Sequence, residues 1–325
     1  MRAGACRVPS SSANLGPGYD VLSLALSAPA MEVAVELVDP AEGITVEPSG
    51  KYGWRVNRDP ERNSAARALA VLARRLGVRL GVRIRISAEI PVGKGLGSSA
   101  AEAVGAVVAA CKALGVELPR EEVARIAASV EPGGHADNAA ASTFGGFNVI
   151  LRSGSGPEFL SFRAPESLGC VVVVPDVEKA STEVARAAVP RTVSISDHVE
   201  ASSRVAAACV SMLSGDLRRF FAAVAIDPIV ERARAEAGVY GEYTWEELRE
   251  EKEKLLRTYG VALVISGAGP SRLVLYDWSV ATGESGRRLV ESAVQEVVAS
   301  LERRGHRVIE VYWTKPDNRG AVEIA

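Results

Sequence analysis

Metal-binding and cross-linking side chains are scarce in this sequence: four cysteines and three histidines occur in 325 residues. Cys6, Cys111, Cys170 and Cys209 show no CxxC spacing and have no histidine close enough to complete a zinc quartet, so the common zinc folds are excluded and a reduced cytoplasm is the expected compartment. Neither sign of charge dominates. Lys plus Arg number 38 against 40 Asp plus Glu, a net charge of -2, which gives no electrostatic footprint for nucleic acid or for an anionic membrane. Any phosphate must then be bound locally, and the expected partner is a small molecule. Long apolar runs are missing too. The most apolar helical stretch, residues 99–114, carries Glu102 and Lys112 and is too short to span a bilayer, and the N-terminus lacks a signal-peptide core. Glutamine occurs once, at Gln295, and arginine far outnumbers lysine, as in thermophilic or GC-rich sources.

What is present is globular. A hydrophobic fraction of 47% and a charged fraction of 24% match folded soluble domains, and the length predicts two domains of about 150 residues each. Alternation of apolar and polar residues over 31–37 and 82–86 predicts half-buried strands. Apolar residues three and four apart predict helices over 63–76 and 98–114, ending at Gly77 and Gly115, and a third over 121–129. The order does not repeat as βαβ, so an α+β class is expected rather than a doubly wound sheet. The glycine- and serine-rich stretch 152–157 marks the expected boundary between a domain of residues 1–155 and one of 156–325. Beyond it, strands are expected over 170–174, 261–265 and 307–313. Helices are expected over 202–214, 217–224, 245–259 and 286–304.

The chemistry concentrates in Glu89-Ile90-Pro91-Val92-Gly93-Lys94-Gly95-Leu96-Gly97-Ser98-Ser99-Ala100-Ala101, where a strand runs through three alternating glycines into a helix. Glycines let backbone N–H groups converge on an anion, and the helix N-terminus adds partial positive charge. A lone GxG would be explained by a serine-capped turn. The dinucleotide fingerprint fails because its acidic partner is absent, and Walker A fails because no Gly-Lys-Ser/Thr follows.

This string resembles the ATP-binding motif of the GHMP (galacto-, homoserine, mevalonate, phosphomevalonate) kinases. Two further segments resemble that family's other motifs. They are Pro9-Ser10-Ser11-Ser12-Ala13-Asn14-Leu15-Gly16-Pro17-Gly18-Tyr19-Asp20, in its homoserine kinase version, and Ser266-Gly267-Ala268-Gly269-Pro270-Ser271. The resemblance implies a ribosomal protein S5 domain 2-like N-terminal domain with a left-handed β-α-β unit, a ferredoxin-like C-terminal domain, the site between them, and a homodimer. A fourth segment, Glu131-Pro132-Gly133-Gly134-His135-Ala136-Asp137-Asn138, carries the His-x-Asp-Asn typical of homoserine kinases. Mevalonate kinases, by the same resemblance, have a basic aspartate seven residues before a Gly-Gly pair. Here that place, seven before Gly145-Gly146, is Asn138, and an amide takes no proton at neutral pH.

The implied activity is ATP-dependent phosphorylation of the side-chain hydroxyl of L-homoserine, with ATP and Mg²⁺. Pro91, Gly93, Lys94, Gly95, Leu96, Gly97, Ser98, Ser99, Ala100 and Ala101 would hold the phosphates, Asn63 would lie near the adenine, and Ser98 and Glu131 would hold Mg²⁺. Asn138, with Ser98 and Glu131, would serve the transfer itself. For a zwitterionic substrate, Asp20 supplies an anion for the ammonium, and Asn14, His135 and Asp137 complete the pocket. Two arginines fit the carboxylate. Arg186 ends Ser181-Thr182-Glu183-Val184-Ala185-Arg186, where Glu183 replaces the family's Lys. Arg234 stands seven residues after Asp227 in a motif where Arg232 replaces Pro. The alternatives are a GHMP kinase for mevalonate, shikimate or a sugar, and a non-catalytic nucleotide-binding relative.

Overall fold

The computed structural model of the protein describes residues 2–154, 156–177, 182–241, 243–281 and 283–324, with the backbone alone at 182 and 183; Ser181 of the arginine motif lies outside the described residues. Along the chain run β1 (Ala3–Ala13), β2 (Leu22–Val38), β3 (Ile44–Ser49), α1 (Ser64–Leu76), β4 (Gly81–Ala88), α2 (Ser98–Leu114), α3 (Arg120–Val130), α4 (Asp137–Phe144), β5 (Phe147–Ser153) and β6 (Gly156–Phe162). Then follow β7 (Leu168–Pro175), α5 (Thr182–Ala187), α6 (Ile195–Ser214), α7 (Leu217–Val224), α8 (Val230–Glu236), α9 (Trp245–Tyr259), β8 (Ala262–Ile265), β9 (Arg272–Asp277), α10 (Gly283–Arg303), β10 (Val308–Thr314) and β11 (Val322–Ile324). The α+β expectation holds. No helix among the described residues is long and apolar enough to cross a membrane.

The chain divides into two compact units that interleave in sequence. One comprises Met1–Ser12, Ser23–Arg163 and Asp317–Ala325, the other Ala13–Leu22 and Ala164–Pro316. The stretch at 152–157, expected to separate two domains, instead holds the end of β5 and the start of β6, which pair antiparallel inside the first unit. Ser153 and Gly156 pair with each other in this hairpin, so the stretch is not a linker.

In the first unit a seven-stranded sheet has the order β11-β1-β2-β4-β3, with β5 against β2 and β6 beyond it. β3 and β4 are parallel and joined through α1, as a β-α-β unit requires. The period-two pattern places Met31, Val33, Val35, Val82, Ile84 and Ile86 in the core. Outward, Arg83 and Arg85 lie between Glu36 and Glu47 as cross-strand ion pairs. Helix α2 is buried around most of its circumference and built from alanine, glycine and valine. The reason is closeness: a Cβ on Gly105 would sit 2.7 Å from Val33 Cγ2, so small side chains let the helix lie directly on β2. Helices α1, α3 and α4 pack beside it. The position of its N-terminus is thereby fixed by the core.

In the second unit four antiparallel strands take the order β10-β7-β9-β8. Numbered from β7, this is 4-1-3-2, the arrangement of a ferredoxin-like β-α-β-β-α-β unit in which α5 to α9 fill the first crossover and α10 the second. The expected ferredoxin-like character is borne out. Val171, Val173, Leu263, Val274 and Tyr276 of the sheet pack with Val290, Val294, Val297 and Leu301 of α10.

Candidate active site

In the first unit the glycine string occupies the turn between β4 and α2. Gly93, Gly95 and Gly97 all have positive φ, at 74°, 78° and 69°, a backbone that only glycine adopts freely. Gly97 is the N-cap residue of α2, and no side chain among the described residues caps that end. The first-turn N–H groups of α2 therefore have no side-chain acceptor, as an anion-binding helix N-terminus requires. Pro91, Lys94, Leu96, Ala100 and Ala101 are buried in or beside the turn, and Ser11 on β1 donates its N–H to Leu96 O at 3.1 Å.

The two serines differ in commitment. Ser99 Oγ donates to Glu131 Oε1 at 2.5 Å and also meets Ser64 Oγ at 2.6 Å. Ser98 Oγ is buried and has no hydrogen bond of good geometry among the described residues, although it lies near enough to Glu102 to hold down that carboxyl's pKa. A buried hydroxyl in this condition is uncommon unless something else completes it. Such a hydroxyl, next in sequence to the Ser99 that holds Glu131, suits a hard cation and its phosphate oxygens.

Asn138, the second residue of α4, accepts from Ser11 Oγ at 2.9 Å through Oδ1. Asp137 starts the same helix, is buried, accepts from Asn138 N at 2.7 Å, and offers its carbonyl to Ser23 Oγ. His135 precedes them in a half-buried turn after Gly133 and Gly134. β1, α2 and α4 thus bring Ser11, Gly97 and Asn138 together: a Cβ on Gly97 would come 2.0 Å from Ser11 Oγ and 3.1 Å from Asn138 Oδ1.

Asn63 differs from expectation. It is the N-cap of α1, accepting from Ala66 N at 3.0 Å, and its amide hydrogens go to Asn57 O and Glu102 Oε2, each at 3.0 Å. With both donors engaged inside the protein, it supports the fold behind the turn and has no hydrogen left for a base.

Glu102 is a residue that the sequence reading missed, because a glutamate on a helix ordinarily faces water. It is buried, and burial together with the nearby charge of Glu131 pushes its pKa up to about 8, against the lowering effect of Asn63 and Ser98. A carboxyl raised from 4.5 in the unfolded chain adds stability fully below the unfolded value and loses it as pH rises through the folded one. Without metal and nucleotide, the stabilising contribution of Glu102 is expected to be lost, and the melting temperature to fall accordingly, as pH rises from 4.5 to about 8, and Glu102→Gln to flatten that fall. A slope unchanged by the substitution in thermal denaturation would contradict this.

In the second unit, residues 13–22 form a strained loop. Asn14 and Asp20 are the non-glycine residues with positive φ among those described, at 59° and 58°, a conformation that persists only where surroundings enforce it and that clusters at functional sites. Asn14 Oδ1 accepts from Asp20 N at 2.9 Å. The Asp20 carboxylate lies 3.9 Å from the Arg186 guanidinium. Arg234, on α8, is buried, donates from Nε to Ala185 O at 3.0 Å, and lies over the Tyr19 ring at 5.2 Å. Asp227, seven residues before it, caps α8 by accepting from Ile229, Val230 and Glu231 N. Burial and Glu231 hold the Asp227 pKa up at about 6 despite those donors. The glycine loop 266–271 joins this group, with Gly267 N donating to Ala13 O at 3.0 Å. Anionic and cationic side chains so placed can receive the two charges of an amino acid.

Residues 63–146 match the family description GHMP kinases N terminal domain. The chain is 35% identical over 298 residues to the homoserine kinase of Aeropyrum pernix, covering 89% of this chain and 91% of that protein. It is 33% identical over 315 residues to the homoserine kinase of Caldanaerobacter subterraneus subsp. tengcongensis, covering 97% and 93%. The crystal structure of homoserine kinase from Cytophaga hutchinsonii superposes with a TM-score of 0.83 at 26% identity, over 100% of this chain and 98% of that one. The chain therefore belongs to the GHMP kinase family, in its homoserine kinase branch.

Proposed function

We propose that the protein transfers the γ-phosphoryl group of ATP to the side-chain hydroxyl of L-homoserine, giving O-phospho-L-homoserine and ADP on the way to threonine. The observation that carries the choice of substrate is the pair formed by Asp20, on the strained loop, and Arg186, on α5, 3.9 Å apart. Opposite charges that meet each other in this way can each exchange their partner for one end of a zwitterion, which an anionic alcohol such as mevalonate cannot satisfy. The 35% identity to a homoserine kinase over 89% of the chain supports the same reading.

The turn from Pro91 to Gly97 with Ser98, Ser99, Ala100 and Ala101 at the head of α2 is read as the ATP phosphate cradle, its N–H groups and helix dipole opposing the phosphate charge. Ser98 and Glu131 would hold Mg²⁺, which when bound neutralises phosphate charge; the uncommitted Ser98 hydroxyl supports that assignment. Asn138 would orient the transferring group, since its Oδ1 takes the Ser11 hydrogen and Nδ2 is the end with hydrogens to offer a phosphoryl oxygen. No side-chain base is required there. The transfer is largely dissociative, so the alcohol can lose its proton late, and positioning supplies most of the acceleration. Asp20 would take the substrate ammonium, Arg186 and Arg234 its carboxylate, and Asn14, His135 and Asp137 would complete the pocket.

The protein is further read as cytoplasmic, in keeping with four free cysteines, as binding neither nucleic acid nor membrane, in keeping with a net charge of -2, and as a homodimer by family resemblance. An ADP-release assay across L-homoserine, mevalonate, shikimate and galactose tests the function. Preference for L-homoserine is expected, and preference for an alcohol without an ammonium would overturn it.

A further inference from the structure

We infer that the buried Glu231–Lys252 ion pair is a positioning device for substrate recognition: it locks helix α8 so that Arg234 is held at the carboxylate end of the amino-acid site. The inference rests on the reading that Arg234 receives the substrate carboxylate.

Lys252 sits in a run of charged residues on α9, Glu250-Glu251-Lys252-Glu253-Lys254, yet its side chain is 0% exposed and shares the inner face with Leu248 and Leu255. Its Nζ donates to Glu231 Oε2, and Glu231 is itself 4% exposed. The second carboxylate oxygen of Glu231 accepts from Ile265 N at 3.4 Å, at the end of β8. Both oxygens are thus engaged, by two different elements, and the carboxylate cannot turn.

Helix α8 has seven residues, too few to hold a direction without tertiary support. Asp227 caps one end of it, and Glu231 anchors its middle. Arg234 follows Glu231 by three residues, so it lies on the neighbouring stretch of the same helix surface. From there it reaches Ala185 O at 3.0 Å and the Tyr19 ring, immediately beside Arg186 and Asp20 in sequence. The anchoring therefore runs from Lys252 through Glu231 and α8 to the arginine pair. A buried ion pair contributes little net stability compared with apolar residues of the same size, because desolvation offsets the attraction. Direction is what an ion pair adds and an apolar contact does not.

The test is the double substitution Glu231→Leu with Lys252→Met, which removes both charges and keeps volume. Steady-state kinetics are expected to show KM for L-homoserine raised about tenfold, with KM for ATP and kcat each within about twofold of wild type. A purely structural role would lower the melting temperature without that split. KM for L-homoserine at the wild-type value in the folded double variant would overturn the inference. Should that variant not fold, Glu231→Gln, which keeps the shape and one of the two accepted hydrogen bonds but removes the ionic attraction, carries the test: KM for L-homoserine raised about threefold supports it, and an unchanged KM overturns it. Arg234→Ala separates the two readings. If it leaves KM for L-homoserine unchanged, the carboxylate assignment itself fails. If it raises KM while the Glu231 and Lys252 variants do not, only the positioning inference fails.

Discussion

Asp20→Asn is expected to lower kcat/KM for L-homoserine about 10- to 100-fold, the equivalent of one charge-assisted hydrogen bond at about 1.5–3 kcal/mol, while KM for ATP stays near the wild-type value. Asparagine is the substitution of choice because Asp20 has a φ of 58°, and asparagine is among the few residues that enter the left-handed region readily. The backbone hydrogen bond from Asp20 N to Asn14 Oδ1 is then kept. Only the charge is lost, leaving Arg186 without its ionic neighbour at 3.9 Å. Initial rates at saturating ATP with varied L-homoserine measure the effect. An unchanged kcat/KM would remove Asp20 from the ammonium site.

Gly97→Ala is expected to be the most damaging single change in the glycine string. The left-handed φ of 69° costs an L-residue about 1–2 kcal/mol wherever it occurs. At Gly97 the added Cβ would also lie 2.0 Å from Ser11 Oγ and 3.1 Å from Asn138 Oδ1. Something must move: either Ser11, which holds both Leu96 O and Asn138, or the first turn of α2. KM for ATP should rise more than about tenfold and the melting temperature should fall by several degrees, at about 2–4 °C per kcal/mol for a chain of this size class. Gly93→Ala is the internal comparison. Its φ is 74°, but its Cβ would meet nothing within 4 Å, so backbone strain alone should act. Equal losses in the two variants, by nucleotide titration and calorimetry, would show that the crowding at Gly97 is irrelevant.

Helices with apolar residues three and four apart were legible in the sequence: α2, α7 and α9 begin and end where the spacing predicts, α2 and α9 at a glycine. The glycine string was legible for a different reason, since three alternating glycines ahead of a helix have few other physical uses. Strand β1 was not read as a strand because its Ser10, Ser11 and Ser12 are polar yet fully buried, which defeats any reading by hydrophobic alternation. Buried charge is invisible for the same reason. Glu102, Glu231 and Lys252 look like solvent-facing residues of amphipathic helices, and only tertiary packing turns them inward. The interleaving of the two units was equally out of reach. It depends on pairings such as Ala5 with Ile324, which join the ends of the chain and leave no local trace. Short α8 hid inside a motif recognised for Arg234 alone, although the cap at Asp227 is a signal that a closer reading could have used.

The central claim is that an amino-acid hydroxyl, and no other alcohol, receives the phosphoryl group. Phosphorus NMR of the protein incubated with MgATP and L-homoserine tests it most directly. The account predicts a phosphomonoester resonance growing in step with ADP, and none when homoserine is replaced by mevalonate, shikimate or galactose. ADP accumulating with inorganic phosphate alone, or a phosphomonoester formed from one of the other alcohols instead, would contradict it.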